Sequence, residues 1–202
     1  AEEEMERLGS LLEKVLAISS VPVSVDTYKP KVALQALQLG AHMINDVWGL
    51  QHDPEMSKVV AQYKVPVVIM HNQNGTNYEK DIMSEICSFL QKSIDIGLEA
   101  GISFDQFIVD PGIGFGKTPE QNLMVMSRLE ELTSLRCPIL LGTSNKRFIG
   151  EVLQLPVEDR AEGTGATISM GIMKGSNIVR VHDVKVMARI AKMMDAMMRR
   201  DV

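Results

Sequence analysis

The sequence predicts an α/β fold built on a parallel sheet, and three observations carry that prediction. Six short β-rich runs (22–25, 43–47, 66–70, 107–109, 139–142 and 178–181) alternate with longer stretches of helical character, the pattern of repeated strand–helix units. The runs are continuously apolar, as strands covered on both faces are. Polar residues gather just past every run: Asp26, Asn45 with Asp46, His71 with Asn72, Asp110, Ser144 to Lys146, and Arg180 with His182. A (β/α)8 TIM barrel collects all its strand ends at one mouth, whereas an open doubly wound sheet brings only those near its switch point to a ligand. Six contributing strand ends therefore favour the barrel.

The intervening helices carry their own signals. Leu8, Leu11, Leu12, Val15 and Leu16 form one apolar stripe in the opening segment. Pro30 sits where a first helical residue belongs, and Gly40 where that helix should stop. Asp53-Pro54 opens the next helix, and a long one near 79–100 ends at Gly101. Thr118-Pro119-Glu120-Gln121 pairs a cap residue with a glutamine three places on, a capping box. Gly175 closes a helix near 158–174, and the last helix carries Val186, Ile190, Met193, Met194 and Met197. Methionines 187, 193, 194 and 197 suit a core or a helix interface.

No low-complexity linker or repeat divides residues 1–202, which are expected to form one domain. Six units are two short of eight, and a complete barrel takes about 250 residues. The chain also begins inside a helical pattern, AEEEMERLGSLLEKVL. Strands three to eight are thus expected here, with the first strand, its helix and the second strand absent. Composition is that of an ordinary globular protein, 45% hydrophobic and 23% charged. A net charge of −5 disfavours non-specific nucleic-acid binding. Cys87 and Cys137 lack metal-type spacing and read as buried thiols of a reducing compartment. No signal peptide and no run of membrane-spanning length is visible, so a cytoplasmic location without membrane partners is expected.

The stretch FIVDPGIGFGKT, 107–118, superficially suggests a nucleotide-binding loop. The phosphate loop requires Gly-x4-Gly-Lys-Ser/Thr, and counting back from Gly116 places Pro111, which has no N–H, at its first glycine. Gly112, Gly114 and Gly116 alternate strictly, so the dinucleotide fingerprint fails too. That leaves Asp110 at the end of a buried strand. Asp26 and Asp110 each have an ordinary reading, a helix cap or an ion pair. Together with Asn45 at one mouth they suit a flat heterocycle with N–H and C=O edges, such as a pterin, since carboxylates only accept and an amide both donates and accepts. Lys146 is either a solvated loop lysine or a cation beside a ring. Arg180 and His182 alternate and so point the same way, as a rim ion pair or as a clamp for phosphate oxygens. Met70 and Phe115 are packing residues or the apolar walls of a planar ligand. His71 has a structural reading as good as any functional one, and His42 and His52 carry no signal.

Five segments, SVDTYKPKVALQALQLGAHMINDVWG, VVIMHN, DPGIGFGKTPEQNL, GTSNKRFIG and GTGATISMGIMKGSNIVRVHDV, resemble dihydropteroate synthases of the Gram-positive type in family order over nearly the whole chain. The resemblance implies a pterin-binding barrel that joins 6-hydroxymethyl-7,8-dihydropterin pyrophosphate to 4-aminobenzoate, releasing pyrophosphate, with sulfonamides competing for the aminobenzoate site. It implies that Asp26, Asn45 and Asp110 grip the pterin edge, with Asp26, Asp110 and Lys146 catalytic. Met70 and Phe115 then border the ring, and Gly114 lies in the loop whose glycines let backbone approach the ligand. Lys146 would sit between the two substrates, and Arg180 and His182 would hold the pyrophosphate with Mg²⁺. It also implies a homodimer formed through late helices.

Two departures stand out. The family's Asn-containing first loop and Thr-Arg-Pro second loop have no match here, and the expected metal ligand belongs to that missing segment. The family usually has Arg before the site lysine, where this chain has Asn145 followed by Lys146 and Arg147, which predicts reduced affinity or rate. The competing readings are a methyltetrahydrofolate methyltransferase on the same barrel, which would need a corrinoid partner and should lack GTSxKRFIG, and a non-catalytic pterin-binding protein.

Overall fold

A computed structural model describes residues 2–198, with side chains from residue 5 onward. The chain divides into two compact units, Ala1–Asn72 with Ser88–Val109, and Gln73–Cys87 with Asp110–Val202.

In the first unit, α1 (Glu2–Ile18) precedes β1 (Ser24–Asp26), α2 (Pro30–Gln38), β2 (Met43–Asp46), α3 (Glu55–Tyr63) and β3 (Val67–Met70). The larger part of α4 (Ile82–Glu99) and β4 (Phe107–Asp110, up to Val109) complete it. The sheet order is β1-β2-β3-β4. β1 pairs with β2 in parallel, placing Asp26 opposite Asn45, and β2 pairs in parallel with β3. β3 and β4 are buried throughout. Ile44, Val67, Val68, Ile69, Phe107 and Val109 form the heart of this core. Leu90 and Ile94 of α4 are buried with them, and a Cβ on Gly97 would lie 2.5 Å from Phe107 Cζ, so the glycine sets how closely α4 approaches β4.

Three expectations are revised in this unit. β1 is buried only at Val25, because it is an edge strand of its sheet. The stripe on α1 is incomplete: Leu12 is buried, but Leu11 is 61% exposed. α4 begins at Ile82, not near 79, because Asp81 receives the Ser84 N–H at 3.0 Å and closes the N-terminal turn there. The other boundaries match their residues. Pro30 is at the start of α2, Gly40 follows its end at φ +104°, and Asp53 accepts the Glu55 N–H ahead of α3.

In the second unit, α5 (Pro119–Ser127), a 3-10 segment (Leu129–Leu135), β5 (Leu140–Leu141) and α6 (Arg147–Leu153) lead to α7 (Ala161–Met173), β6 (Ile178–Val179) and α8 (Val184–Met198). β5 and β6 pair in parallel. The capping box opens α5: Thr118 Oγ1 accepts the Gln121 N–H, and Gln121 Oε1 accepts the Thr118 N–H at 2.8 Å. The helix expected near 158–174 begins at Ala161, and Val157–Asp159 is instead a single 3-10 turn. α8 buries Met187 and Met194, while Met193 and Met197 are exposed. Among the described residues no helix is long and apolar enough to cross a membrane.

Candidate functional site

In the first unit the site is built on a strand register. Residues opposite one another on neighbouring strands share a face, and Asp26 and Asn45 are such a pair. Asn45 Nδ2 donates to Asp26 Oδ1. Asp26 is exposed while Asn45 is buried, and the Asn45 side-chain carbonyl oxygen is buried without a hydrogen-bond partner. A buried acceptor left unpaired is costly, and an N–H from a ligand would satisfy it. Asp46 has a different task. Successive side chains of a strand point to opposite faces, and Asp46 accepts the N–H groups of Trp48 at 2.9 Å and Leu50 at 2.8 Å. It thereby ties down a tight turn in which Leu50 sits at φ +62°. Burial raises its pKa against those two hydrogen bonds. Met70 is buried at the end of β3, and the next residue, His71, is buried with its ring edge-on to Phe89 at 5.0 Å.

In the second unit Asp110 is 6% exposed and accepts the Gly112 N–H at 2.7 Å. Burial lifts its carboxyl from 3.8 to about 6, opposed by the Gly112 hydrogen bond and by the positive charges of Lys117, Lys146 and Arg180. The loop that follows is held on several sides. Gly114 donates its N–H to Asn122 Oδ1 at 2.7 Å, and the Gly116 carbonyl accepts from the Tyr78 hydroxyl at 2.9 Å. Lys117 Nζ donates to the carbonyls of Gly112 and Phe115, both at 3.0 Å. Lys146 Nζ lies 4.3 Å from the centre of the Phe115 ring, a cation–π contact. Gly114 has φ +82°, where a side chain is strained, and a Cβ there would meet Lys146 Cδ at 3.0 Å, so glycine suits this close pass beside Lys146.

The strand pairing extends beyond β6, because the Arg180 N–H reaches the Leu141 carbonyl at 2.9 Å. Arg180 and His182 are both exposed. Ser144 Oγ receives the His182 N–H at 3.2 Å and contacts His182 Nδ1 at 2.9 Å, which fixes the imidazole relative to the loop after β5. In that loop Asn145 is left-handed, at φ +57°. Asparagine tolerates this conformation better than most residues, which gives the departure from the family's usual arginine a local physical basis. The turn is pinned by Thr164 Oγ1, which accepts the Asn145 N–H at 3.2 Å, and by Arg160, which donates to the Asn145 carbonyl at 3.0 Å.

The structure thus brings Asp26 and Asn45 together in one unit. In the other it brings together Asp110, Gly114, Phe115 and Lys146, with the charge of Arg180 acting on Asp110. Lys117 and Asn122 carried no signal in the sequence, and Ser144 was visible only as one of the polar residues past a strand. An isolated lysine carries no signal of burial. Among the described residues there is no group of three or more His, Cys, Asp or Glu side chains able to hold a metal ion.

These features match a known class. The chain belongs to the pterin-binding enzymes, whose family model matches residues 1–182, and within them to the dihydropteroate synthases. It is 53% identical over 197 residues to the dihydropteroate synthase of Bacillus subtilis, covering 98% of this chain and 69% of that protein. It is 50% identical to that of Clostridium beijerinckii, covering 98% of this chain and 74% of the relative. The dihydropteroate synthase of Clostridium difficile, crystallised in the presence of pteroic acid, superposes with a TM-score of 0.97 at 48% identity over 98% of this chain and 76% of its own. The Xanthomonas albilineans enzyme with 4-aminobenzoic acid superposes at 0.93, with 35% identity over 98% of this chain and 72% of its own. The fold class is accordingly the (β/α)8 barrel, of which the chain carries strands three to eight.

Proposed function

We propose that this chain binds 6-hydroxymethyl-7,8-dihydropterin pyrophosphate through Asp26, Asn45 and Asp110 and joins it to 4-aminobenzoate. The observation that carries the binding role is the buried, unpartnered carbonyl of Asn45 beside the Asp26 carboxylate. Such a pair offers acceptors to a ring edge rich in N–H donors. Asp110 adds a third acceptor, and Met70 and Phe115 supply apolar surface for the ring faces.

In the reaction the C–O bond between the pterin methylene and pyrophosphate breaks, the aminobenzoate nitrogen bonds to that methylene, and the amine gives up a proton. In this reading bond breaking runs ahead of amine attack, so positive charge develops on the pterin. Ionised Asp26 and Asp110 hold that charge more strongly in the transition state than in the ground state, which is how binding becomes catalysis. Arg180 and His182 stabilise the departing pyrophosphate by charge-assisted hydrogen bonds. Lys146, held over Phe115, supplies a cation between the two substrates. Mg²⁺ enters this reading as a counter-ion of the pyrophosphate. The exposed apolar side chains of Met173, Val184, Met193 and Met197 support a homodimer through α7 and α8.

The test is an assay of pyrophosphate release. The reading requires release that depends on both substrates and is inhibited by a sulfonamide in competition with 4-aminobenzoate. Release indifferent to 4-aminobenzoate would rule out the proposed condensation.

A further inference from the structure

Lysine is rarely buried, yet Lys117 is only 9% exposed. Its ammonium lies beneath the loop from Asp110 to Gly116 and donates to the Gly112 and Phe115 carbonyls at 3.0 Å each. Those carbonyls flank Gly114, and the alternating glycines 112, 114 and 116 all have positive φ, +68°, +82° and +55°. A loop of this kind has little conformational restraint of its own. Further ties come from Asn122 to the Gly114 N–H, and from Tyr78 and Gln73 to the Gly116 carbonyl. A methionine would fill the same volume without a desolvation cost, so packing alone does not account for the ammonium.

We propose that Lys117 is a positioning residue for pterin binding: its ammonium clamps the Gly112 and Phe115 carbonyls and acts as the resident counter-charge of Asp110. This rests on the pterin reading of the site above. The charged groups acting on Asp110 are Lys117, Lys146 and Arg180, and those acting on Lys117 are Asp110 and Lys146. Lys146 and Arg180 are assigned to the substrates and to the leaving group, so their effect on Asp110 changes as ligands come and go. Lys117 is bound to the loop itself and keeps its place throughout. Burial pulls Lys117 down from 10.5 to about 7, opposed by Asp110, so each partner favours the charged form of the other.

The experiment is the pH dependence of pterin pyrophosphate affinity, by calorimetry, for the wild type, Lys117→Met and Lys117→Arg. A nearby opposite charge shifts a carboxyl by about one to three pH units. In Lys117→Met the acid limb of binding should therefore move up by about one unit or more, with affinity at pH 6 lower by about fivefold or more. Lys117→Arg should restore much of the wild-type profile. A Lys117→Met protein that is less stable but keeps the wild-type pH limb would make Lys117 a structural residue only and overturn the proposal. Should Lys117→Met fail to fold, Lys117→Gln, which keeps a donor but not the charge, must show the same displaced limb. A reciprocal measurement needs neither variant. Replacing Asp110 with Asn should lower the Lys117 pKa followed by the ¹³C shift of its Cε, and an unchanged titration overturns the proposal. Absence of pterin binding by the wild type would instead remove the functional reading, and the NMR titration would still decide whether the two groups are coupled.

Discussion

Asp110 is set against the stability of the fold, and the size of that conflict follows from its surroundings. Its carboxyl titrates at about 6 in the folded protein against 3.8 for the free group, with burial the largest cause. A folded pKa above the unfolded one means that the protonated form is favoured by folding. The stabilisation is complete below about pH 4 and disappears as pH rises through 6. Ionised Asp110 therefore costs about 3 kcal/mol at neutral pH. Asparagine in its place can still accept the Gly112 N–H but carries no charge. Asp110→Asn is expected to stabilise the protein at pH 7.5 by up to about 3 kcal/mol, with no gain near pH 4, while pterin affinity is lost. Urea unfolding of both proteins from pH 4 to 8 measures this directly. A variant equal to or less stable than the wild type at pH 7.5 would refute the argument that Asp110 is kept ionised at the expense of stability for the sake of its ligand.

Other consequences are more local. Gly114→Ala must place a Cβ 3.0 Å from Lys146 Cδ in a backbone at φ +82°; a loss of about 1–2 kcal/mol in stability and a raised KM for the pterin substrate are expected, checked by chemical denaturation and steady-state kinetics. Thr118→Ala removes the acceptor for the Gln121 N–H and should cost about 1 kcal/mol in urea unfolding. Ser144→Ala frees His182 from its tie at Nδ1; KM for the pterin pyrophosphate should rise, and the His182 ring ¹⁵N shifts should report a changed tautomer balance.

Much of the layout was legible because it rests on local rules. The apolar runs that became β2, β3 and β4 are bounded by residues with clear preferences, and Pro30, Gly40 and Thr118 stand where their backbone chemistry requires. The strand ends were legible as polar positions but not as tasks. Asn45 and Asp46 are adjacent and both buried, yet one faces Asp26 and the other anchors a turn. Only the register of β1 on β2 separates them, and register is a tertiary fact. The same limit applies to β1, whose edge position exposes Ser24 and Asp26. Lys117 was hidden for another reason: what makes it informative is burial under a loop, and the glycines that shape that loop offer no periodicity from which to read an inward side. Asn145 was visible as a departure, while its left-handed backbone, which suits asparagine, required coordinates.

In the proposed function Asn45, with its unpaired buried carbonyl, and Asp110 read the edge of a pterin. Calorimetric titration of the protein with the pterin pyrophosphate, beside Asn45→Ala and Asp110→Asn, tests it most directly. The wild type should bind, with affinity at least about tenfold weaker in each variant, the scale of a lost hydrogen bond to a charged or buried group. Equal affinity in all three proteins would contradict it.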